Sequence, residues 1–283
     1  PRHHLYVIGT CECERSILKS LVWPCKKRWE KQVQAYLGKD YMMIKTQSLN
    51  AMHLMVFAHR SLWRYIWDIK AGCVATGVGN FLGNKGSTQV GFKIGHTALL
   101  FVNAHLAAHT KNMTQRTRDL ERILTRSPLR TMKGQTGVHE EYNRVFLMGD
   151  LNSRVEASRA DVNEWLSAGS FDECLRRDQL SALRHKSASG VWSIFQEAAI
   201  SFPPTYKFDA GSDVYDSKRQ RVPSWTDRVL WKHDTHIRAL TYNSVQALKC
   251  SDHRPIFSHF EVIVNLADWQ GPLQSVSDEK SSV

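Results

Sequence analysis

The first candidate for chemistry is a carboxylate and a carboxamide two residues apart. Asp150 and Asn152 follow the apolar run Phe146–Met148 and Gly149, a pattern that predicts a buried strand ending at this pair. In an extended segment, residues at this spacing point to the same side. Asp150 could then accept a proton from water while Asn152 donates a hydrogen bond to an oxyanion or holds the water in line. A plain Asx turn after a strand would explain the same residues.

Two further segments place charged side chains just before the first residue of a predicted strand. In residues 251–255, Ser-Asp-His-Arg-Pro, His253 could act as an acid or contact phosphate, and its charged neighbours would set its pKa. In Pro223–Leu230, Asp227 could orient a histidine, and Arg228 could face a phosphate with its planar fork. For His253 considered alone, a surface histidine is the simpler explanation, and a structural Asp–Arg pair explains Asp227 and Arg228 equally well.

Three weaker signals lie elsewhere in the chain. Asn84 and Lys85 lie between two glycines, where backbone could approach an anion, although Gly-x-x-Gly is often only a turn. His105 follows an apolar strand, and a core histidine is the simpler explanation. A proline-fixed loop and the segment after it combine an aromatic residue with cations that would otherwise form a solvated face: Tyr206, Lys207, Lys218, Arg219 and Arg221.

The elements that must position these residues are mixed strands and helices. Helical periodicity covers 15–37, Met113–Thr125 and Val162–Leu166, whereas 127–141 is predicted to be a loop. No repeat or linker divides the chain, so an α+β fold and a layered α/β sandwich both remain open. The predicted strands are Leu5–Gly9, Tyr41–Ser48, His53–Ala58, Ile66–Thr76, Thr88–Ile94, Ala98–Asn103, Arg144–Met148, Val229–Trp231, Ile237–Thr241 and Phe257–Val264.

Composition limits the partners. The 283 residues carry 38 Lys and Arg against 27 Asp and Glu, a net charge of +11, which favours nucleic acid, an anionic membrane surface or a small phosphorylated solute. No apolar run is long enough to span a bilayer. The six cysteines lack the spacing of a zinc site or a disulfide framework. We therefore expect reduced thiols in a cytosolic protein.

Taken together and in order, these motifs resemble those of the inositol polyphosphate 5-phosphatases. The resemblance extends over residues 5–264, and the Trp-x-Asp-Arg and Ser-Asp-His-Arg-Pro motifs are its most specific parts. The matching segments are Gly-Asn-Lys-Gly at 83–86, Asn-Ala-His-Leu-Ala-Ala-His at 103–109, Met-Gly-Asp-Leu-Asn at 148–152, Pro-Pro-Thr-Tyr-Lys-Phe-Asp at 203–209, Pro-Ser-Trp-Thr-Asp-Arg-Val-Leu at 223–230 and Ser-Asp-His-Arg-Pro at 251–255.

The resemblance implies an α/β fold of four layers, with two mostly antiparallel sheets flanked by helices, as in pancreatic DNase. It also implies Mg²⁺, which prefers oxygen ligands and keeps some of its waters. Tyr6–Glu12 resembles the family segment that ends in Gln-Glu, so Glu12 would be the metal carboxylate. By the same matching, Asp150 would activate the attacking water, and Asn152 would hold that water or the phosphate.

The other matching residues would contact phosphate groups of the substrate. His253, paired with Asp227, would bind the 5-phosphate and stabilise charge on it. His105 and Arg228 are also expected to face the 5-phosphate, with Asn84 and Lys85 nearby, and the residues expected to hold the neighbouring 4-phosphate are Tyr206, Lys207 and Arg219. Such an arrangement suits phosphoryl transfer, which depends on positioning and charge neutralisation.

The chain departs from the family pattern in three places. Cys11 replaces a Gln, which is expected to weaken a contact that supports the metal ligand, and Arg219 stands where the family usually has Lys, a different phosphate binder. Family members also begin with a strand carrying a Trp-Asn motif, and this chain starts after it. We therefore expect residues 1–264 to form an N-terminally incomplete catalytic domain, followed by a flexible polar tail at 265–283.

The sequence thus predicts Mg²⁺-assisted hydrolysis of the 5-phosphate of phosphoinositides such as PtdIns(4,5)P2, of soluble inositol polyphosphates, or of both. We expect a cytoplasmic protein in peripheral contact with an anionic membrane surface, and no nucleic-acid partner. Two alternatives remain: a catalytically impaired phosphoinositide-binding module, and a nuclease of the same fold, which the net charge would suit. The choice between lipid and soluble substrate, the need for a 3-phosphate and the oligomeric state stay open.

Overall fold

A computed structural model describes residues 3–12, 26–77, 84–132, 136–186 and 190–271. Within these ranges the helices are α1 (Lys26–Leu37), α2 (Arg60–Trp63), α3 (Met113–Thr125), α4 (Arg159–Ser167), α5 (Phe171–Arg176) and α6 (Gln179–Lys186). The strands are β1 (Leu5–Thr10), β2 (Tyr41–Leu49), β3 (Met52–His59), β4 (Ile66–Ala75), β5 (Gly86–Ile94), β6 (Thr97–His105), β7 (Arg144–Asp150), β8 (Phe195–Gln196), β9 (Asp227–Lys232), β10 (Ile237–Ser244) and β11 (Ile256–Val262).

The largest sheet brings three of the predicted site residues to one edge. Its six strands follow the order β4-β5-β6-β7-β9-β8, and all pairs are antiparallel except β6 with β7. Because β6 and β7 run in parallel, they end together, with His105 beside Asp150. The antiparallel strand β9 begins at the same edge, where Asp227 pairs with Asp150.

Two smaller sheets cover one face of this large sheet. They have the orders β1-β3-β2 and β10-β11, and both pack through one apolar cluster that includes Val56, Phe101 and Trp231. The rings of Phe146 and Phe260, from β7 and β11, lie 5.1 Å apart between centroids. These layers confirm the predicted fold of mostly antiparallel sheets flanked by helices.

The helices close the outer faces. Helix α3 buries Leu120, Ile123 and Leu124 against the opposite face of the large sheet, so the predicted helix and its apolar face are both confirmed. Helix α1 packs Val33 and Leu37 on the outer face of the three-stranded sheet. Each helix therefore shields one apolar sheet face from water. None of the helices in the described ranges is long and apolar enough to cross a membrane.

Strand β1 is an edge strand in the described part of the chain. It pairs with β3 on one side, and the sheet of β10 and β11 is separate. The His3 and His259 rings nevertheless approach to 4.1 Å between centroids, so the start of β1 lies beside β11. The expectation that the domain lacks the first strand of the family remains a prediction.

Most predicted elements are present, with differences at their margins. The helical pattern predicted for 15–37 is helical from Lys26, and 13–25 lies outside the described residues. The predicted loop at 127–141 contains a short 3₁₀ turn at Val138–Glu140. Helices α2, α5 and α6 and strand β8 were not predicted, because elements of two to eight residues carry too little periodicity. Of the predicted tail, 272–283 lies outside the described residues.

Candidate active site

His105 and Asp150 form the centre of the site at the ends of β6 and β7. The His105 Nε2 and Asp150 Oδ2 atoms lie 3.2 Å apart, and both side chains are almost fully buried. Gly149 permits this close approach: its φ is +120°, and a Cβ atom built there would lie 2.2 Å from the Ala104 carbonyl oxygen. A larger residue would push the two strand ends apart.

Asn152 reaches back to the Asp150 carboxylate through an Asx-like turn. Its backbone N–H donates to Asp150 Oδ1 at 3.0 Å, and its Nδ2 donates to Asp150 Oδ2 at 3.1 Å. Nδ2 also donates to the Leu106 carbonyl at 3.1 Å, and the backbone of Asn152 adopts a left-handed φ of 55°. The Asx turn and the candidate site are therefore not alternatives, because the turn itself orients the polar groups of Asp150 and Asn152.

The Asp150 carboxyl group is held ionised. Burial of this group opposes ionisation, but the hydrogen bond from His105 and the charges of His253 and Lys85 outweigh it and hold the pKa of Asp150 well below its ordinary value. A buried carboxylate beside several cations can accept a hydrogen bond from water and orient it.

Lys85 and Glu12 approach the same histidine from two other segments. Lys85 Nζ contacts His105 Nε2, and Glu12 Oε1 lies 4.0 Å from that nitrogen. Burial lowers the pKa of Lys85, while Asp150 and Glu12 counteract the shift. Gly86 has a φ of +140°, and a Cβ there would lie 2.0 Å from the Val74 carbonyl oxygen, so this glycine is needed to bring Lys85 to the site.

Asn84 precedes Lys85 at the same corner. Its Oδ1 is buried without a hydrogen-bond partner in the described part of the chain. Gly83, the other glycine of the motif, lies outside the described residues.

His253 and Asp227 form a second charged pair beside the first. The His253 Nδ1 and Asp227 Oδ2 atoms are 2.8 Å apart, and the hydroxyl groups of Thr226 and Thr205 donate to the same oxygen at 2.9 and 3.3 Å. Burial of the imidazole opposes its protonation, but Asp227, with Asp150 and Asp252 farther along, raises the pKa of His253 to about 10. At neutral pH this side chain is therefore a cation.

An aromatic and basic layer extends from His253. The rings of Tyr206 and His253 lie 4.6 Å apart between centroids, and Arg221 donates to the Tyr206 hydroxyl oxygen. Lys207 pairs with Asp252. The side chain of Arg219 is exposed, and its backbone N–H donates to the Asp216 carboxylate at 3.2 Å; its contact with a phosphate stays a prediction.

Comparison with known proteins decides the family. The sequence profile described as Endonuclease/Exonuclease/phosphatase family 2 matches residues 1–259. The chain belongs to this family. The match confirms the resemblance that the motifs indicated.

The names of several similar proteins include the term 5-phosphatase. Type II inositol 1,4,5-trisphosphate 5-phosphatase of Mus musculus is 33% identical over 251 residues, which are 87% of this chain and 25% of the relative. Phosphatidylinositol 4,5-bisphosphate 5-phosphatase INP51 of Saccharomyces cerevisiae is 32% identical over 248 residues, 86% of this chain and 26% of the relative. The chain thus spans about a quarter of the length of each of these two relatives.

A solved structure shares the fold at similar identity. The inositol polyphosphate 5-phosphatase domain of SPsynaptojanin, in complex with inositol (1,4)-bisphosphate and calcium ion, is 32% identical. The match covers 93% of this chain and 77% of that chain, with a TM-score of 0.77. The DNase-like fold expected for this family is therefore confirmed.

Arg228, one of the predicted site residues, lies outside the candidate site. Arg228 is fully buried and donates to both carboxylate oxygens of Glu197 at 2.6 Å and to Asp178 Oδ1 at 2.8 Å. The prediction that Arg228 faces the 5-phosphate is wrong, because successive strand residues point to opposite faces. Asp227 points toward the site, and Arg228 points into the interior.

The donor set for a metal consists of two carboxylates near one histidine. Among the described residues, no three His, Cys, Asp or Glu side chains are grouped as an all-protein metal cage. Glu12 Oε1 and Asp150 Oδ2 lie 4.0 and 3.2 Å from the same His105 nitrogen. Mg²⁺ is usually held by one or two carboxylates and keeps several waters. These residues therefore fit Mg²⁺ and place Glu12 at the solvent-facing side, where its side chain is 68% exposed.

Cys11 stands at the position where the sequence resemblance predicts Gln. Its Sγ donates weakly to the Ala104 carbonyl at 3.6 Å and to Asn103 Oδ1 at 3.8 Å. Burial and the nearby Asp150 charge raise the pKa of this thiol. Cys11 therefore stays a neutral thiol that packs against β6 beside the predicted metal ligand.

Several residues that support the site were not predicted from the sequence. Thr205 and Thr226 bind Asp227, as described above. Arg154 donates to Asn152 Oδ1 and lies over the Tyr206 ring, 4.5 Å from its centroid. Its place two residues after Asn152 was the available signal, but a basic residue in a loop is usually only solvated.

Proposed function

We propose that this chain is the catalytic domain of an Mg²⁺-dependent phosphatase that removes the 5-phosphate of inositol phospholipids or inositol polyphosphates. The observation that carries the proposal is the meeting of two charged pairs at one sheet edge: ionised Asp150 beside His105, and protonated His253 beside Asp227. One pair can orient water, and the other can bind a phosphate.

Asp150 and Asn152 act on the attacking water. The carboxylate of Asp150 lies at a strand end with its pKa lowered, so it accepts a hydrogen bond from water and aligns the oxygen with phosphorus. Asn152 is fixed by two hydrogen bonds to that carboxylate, which keeps the aligned geometry. Holding water in line is the main demand of phosphoryl transfer on protein groups.

His253 and Lys85 act on the phosphate. Protonated His253 donates from Nε2 while Nδ1 stays bonded to Asp227 at 2.8 Å, and its charge offsets the negative charge that develops on the phosphate oxygens. The ammonium group of Lys85, next to His105, adds a second cation. Asn84 and Arg219 stay predicted substrate contacts, as do Tyr206 and Lys207, which we propose meet a neighbouring ring phosphate.

Glu12, with Asp150 close by, would hold Mg²⁺. When bound, the metal would neutralise phosphate charge and lower the pKa of a coordinated water. Support for a metal comes from the domain of SPsynaptojanin, which was solved with a calcium ion.

The substrate class rests on the relatives and on charge. The printed names of the relatives include both a soluble trisphosphate and a phosphatidylinositol bisphosphate, so we propose both as substrates. The net charge of +11 favours peripheral work at an anionic cytoplasmic membrane surface, where each well-placed Lys or Arg contributes about 1 kcal/mol.

The test is phosphate release from Ins(1,4,5)P3 and from vesicles containing PtdIns(4,5)P2, with Mg²⁺ or with EDTA. We expect metal-dependent release that His253→Ala abolishes. His236→Ala is the matched control, because His236 also pairs with an aspartate, Asp234 at 2.9 Å, at the other end of β9. Binding of vesicles without release would instead identify a binding module, and nicking of plasmid DNA would identify a nuclease.

A further inference from the structure

The outer face of helix α1 carries a row of basic side chains. Its apolar side packs on the three-stranded sheet, whereas Lys27, Arg28 and Lys31 are exposed. Residues three and four apart are neighbours on a helix surface, so Lys31 lies beside both of the other cations. Glu30, the acidic residue of α1, does not neutralise this row, because its Oε1 lies 3.0 Å from His53 Nε2 on the sheet side.

The basic row continues beyond the C-terminal end of α1. The Arg60 backbone N–H donates to the Asp40 carbonyl at 2.8 Å, and its Nε donates to the Lys39 carbonyl at 2.6 Å, so α2 begins beside the turn that follows α1. In the described part of the chain, no carboxylate lies within ion-pair distance of any cation in this row. This surface, the α1 basic face, consists of Lys27, Arg28, Lys31, Lys39 and Arg60.

An exposed aromatic side chain accompanies these cations on α1. Tyr36 is 85% exposed, and a tyrosine, which joins an apolar ring to a polar hydroxyl, suits the boundary between water and lipid. The 12 residues of α1 form a helix about 18 Å long. A row of unpaired cations of that length is complementary to a layer of anionic lipid headgroups.

The α1 basic face begins at the same edge of the molecule as the candidate site. The Nζ of Lys26, the first residue of α1, donates to the Met52 carbonyl at 2.7 Å. The next residue, His53, pairs with Thr10 at the end of β1, two residues before Glu12. A bilayer in contact with this face would therefore lie next to the opening of the site.

We infer that the α1 basic face is a docking surface for an anionic bilayer, which holds the protein at the membrane that contains its lipid substrate. The inference rests on the proposed function, because that function supplies the reason for docking. Nucleic acid is also a polyanion, but the position of the face beside a site for inositol lipids favours the membrane. Docking should increase the turnover of lipid and leave that of soluble inositol phosphates unchanged.

Vesicles of phosphatidylcholine and phosphatidylserine without phosphoinositide measure the contact in the absence of turnover. Each basic residue near an anionic leaflet strengthens binding by about 5-fold, so the double variant Lys27→Glu/Lys31→Glu should bind these vesicles at least about 30-fold more weakly in a sedimentation assay. The control is Arg118→Glu/Arg126→Glu, which makes the same change of net charge at exposed positions on and just after α3. Because α3 covers the opposite side of the sandwich, beyond the range of screened charges, the control should bind like the wild type.

Hydrolysis of a soluble substrate separates docking from catalysis. Both double variants should fold, as circular dichroism checks, and should release phosphate from Ins(1,4,5)P3 at the wild-type rate. Release from vesicles containing PtdIns(4,5)P2 should fall in the α1 variant alone.

Three results would overturn the inference. Equal losses of vesicle binding in the two variants would show that net charge, not this face, binds the bilayer, and unchanged binding in the α1 variant would remove the face from membrane contact. Loss of duplex DNA binding in the α1 variant with vesicle binding intact would assign the face to nucleic acid. Absence of 5-phosphate release by the wild type would defeat the proposed function alone, because binding to phosphatidylserine vesicles is measured without it.

Discussion

Two neighbouring residues of β9 belong to two different charge networks. Asp227 lies in the candidate site, where it pairs with His253 at 2.8 Å and the network reaches solvent. Arg228 points the other way, into a network closed off from water, where Asp178 and Glu197 are as buried as the guanidinium group itself. One strand thus separates an open set of charges from a closed set.

The difference lies in how completely the charges are paired. In the closed network, two carboxylates face Arg228, and the hydroxyl of Ser153 donates to Asp178 at 2.8 Å, so every charge has its partner. Ser153 follows Asn152 directly, and Gln179 N–H donates to the Arg154 carbonyl at 3.0 Å. The closed network therefore anchors the loop that carries Asn152 and Arg154, while the open network keeps cations available for a ligand.

The largest effect is expected in the open network, from Asp150→Asn. An amide keeps the size of the side chain but does not accept a proton, so the rate of phosphate release should fall by about 10³–10⁴-fold. Steady-state kinetics on Ins(1,4,5)P3, with circular dichroism to confirm folding, measures the effect. A loss of less than about 10-fold would remove Asp150 from its role with water.

The closed network should respond in stability. Arg228→Met leaves the buried Asp178 carboxylate without a cation in the described part of the chain and leaves Glu197 paired with Arg184 alone, at 3.3 Å, so the free energy of unfolding should decrease by about 3–5 kcal/mol. Urea denaturation compares this variant with Arg238→Met, which removes an exposed pair with Glu261 and should cost at most about 1 kcal/mol. Equal losses in the two variants would show that the Arg228 network is not the anchor described here.

The pH dependence tests the link between Asp227 and His253. The pKa of His253 is raised from 6.5 to about 10, so its charge and the stability that the charge contributes are fully present below pH 6.5 and are lost as the pH rises through about 10. Asp227→Asn should lower this pKa and move the alkaline decline of activity toward neutrality. An NMR titration of the His253 ring, together with a pH–rate profile, checks both; an unmoved pKa would contradict the pairing.

A smaller effect is expected from a substitution of Lys207 in the aromatic and basic layer beside His253. Lys207→Gln removes the cation that pairs with Asp252 and that we propose meets the 4-phosphate. The KM for PtdIns(4,5)P2 should rise by about 10-fold, with less change for PtdIns5P, which lacks that group. Equal changes for the two lipids would place Lys207 outside the 4-phosphate contact.

Much of the fold could be predicted because its signals are local. The alternating and apolar runs gave the strands of the large sheet, and the periodicity of Met113–Thr125 gave α3 with its buried face. Chemistry was harder to assign, since Asp150 with Asn152 is equally an Asx turn when considered alone. The order of several motifs along one chain resolved that ambiguity and indicated the family.

The sequence by itself determined which residue types stand at the strand ends, because Gly149 and Gly86 are backbone requirements written directly into the motifs. Only the tertiary structure decided which side chains face the site. Arg228 and Arg154 are both arginines in charged segments, yet the register of β9 turns the first inward to two carboxylates. The turn after β7 leaves the second beside Asn152. Strand pairing between distant segments fixes such side-chain orientations, and no local sequence pattern contains that information.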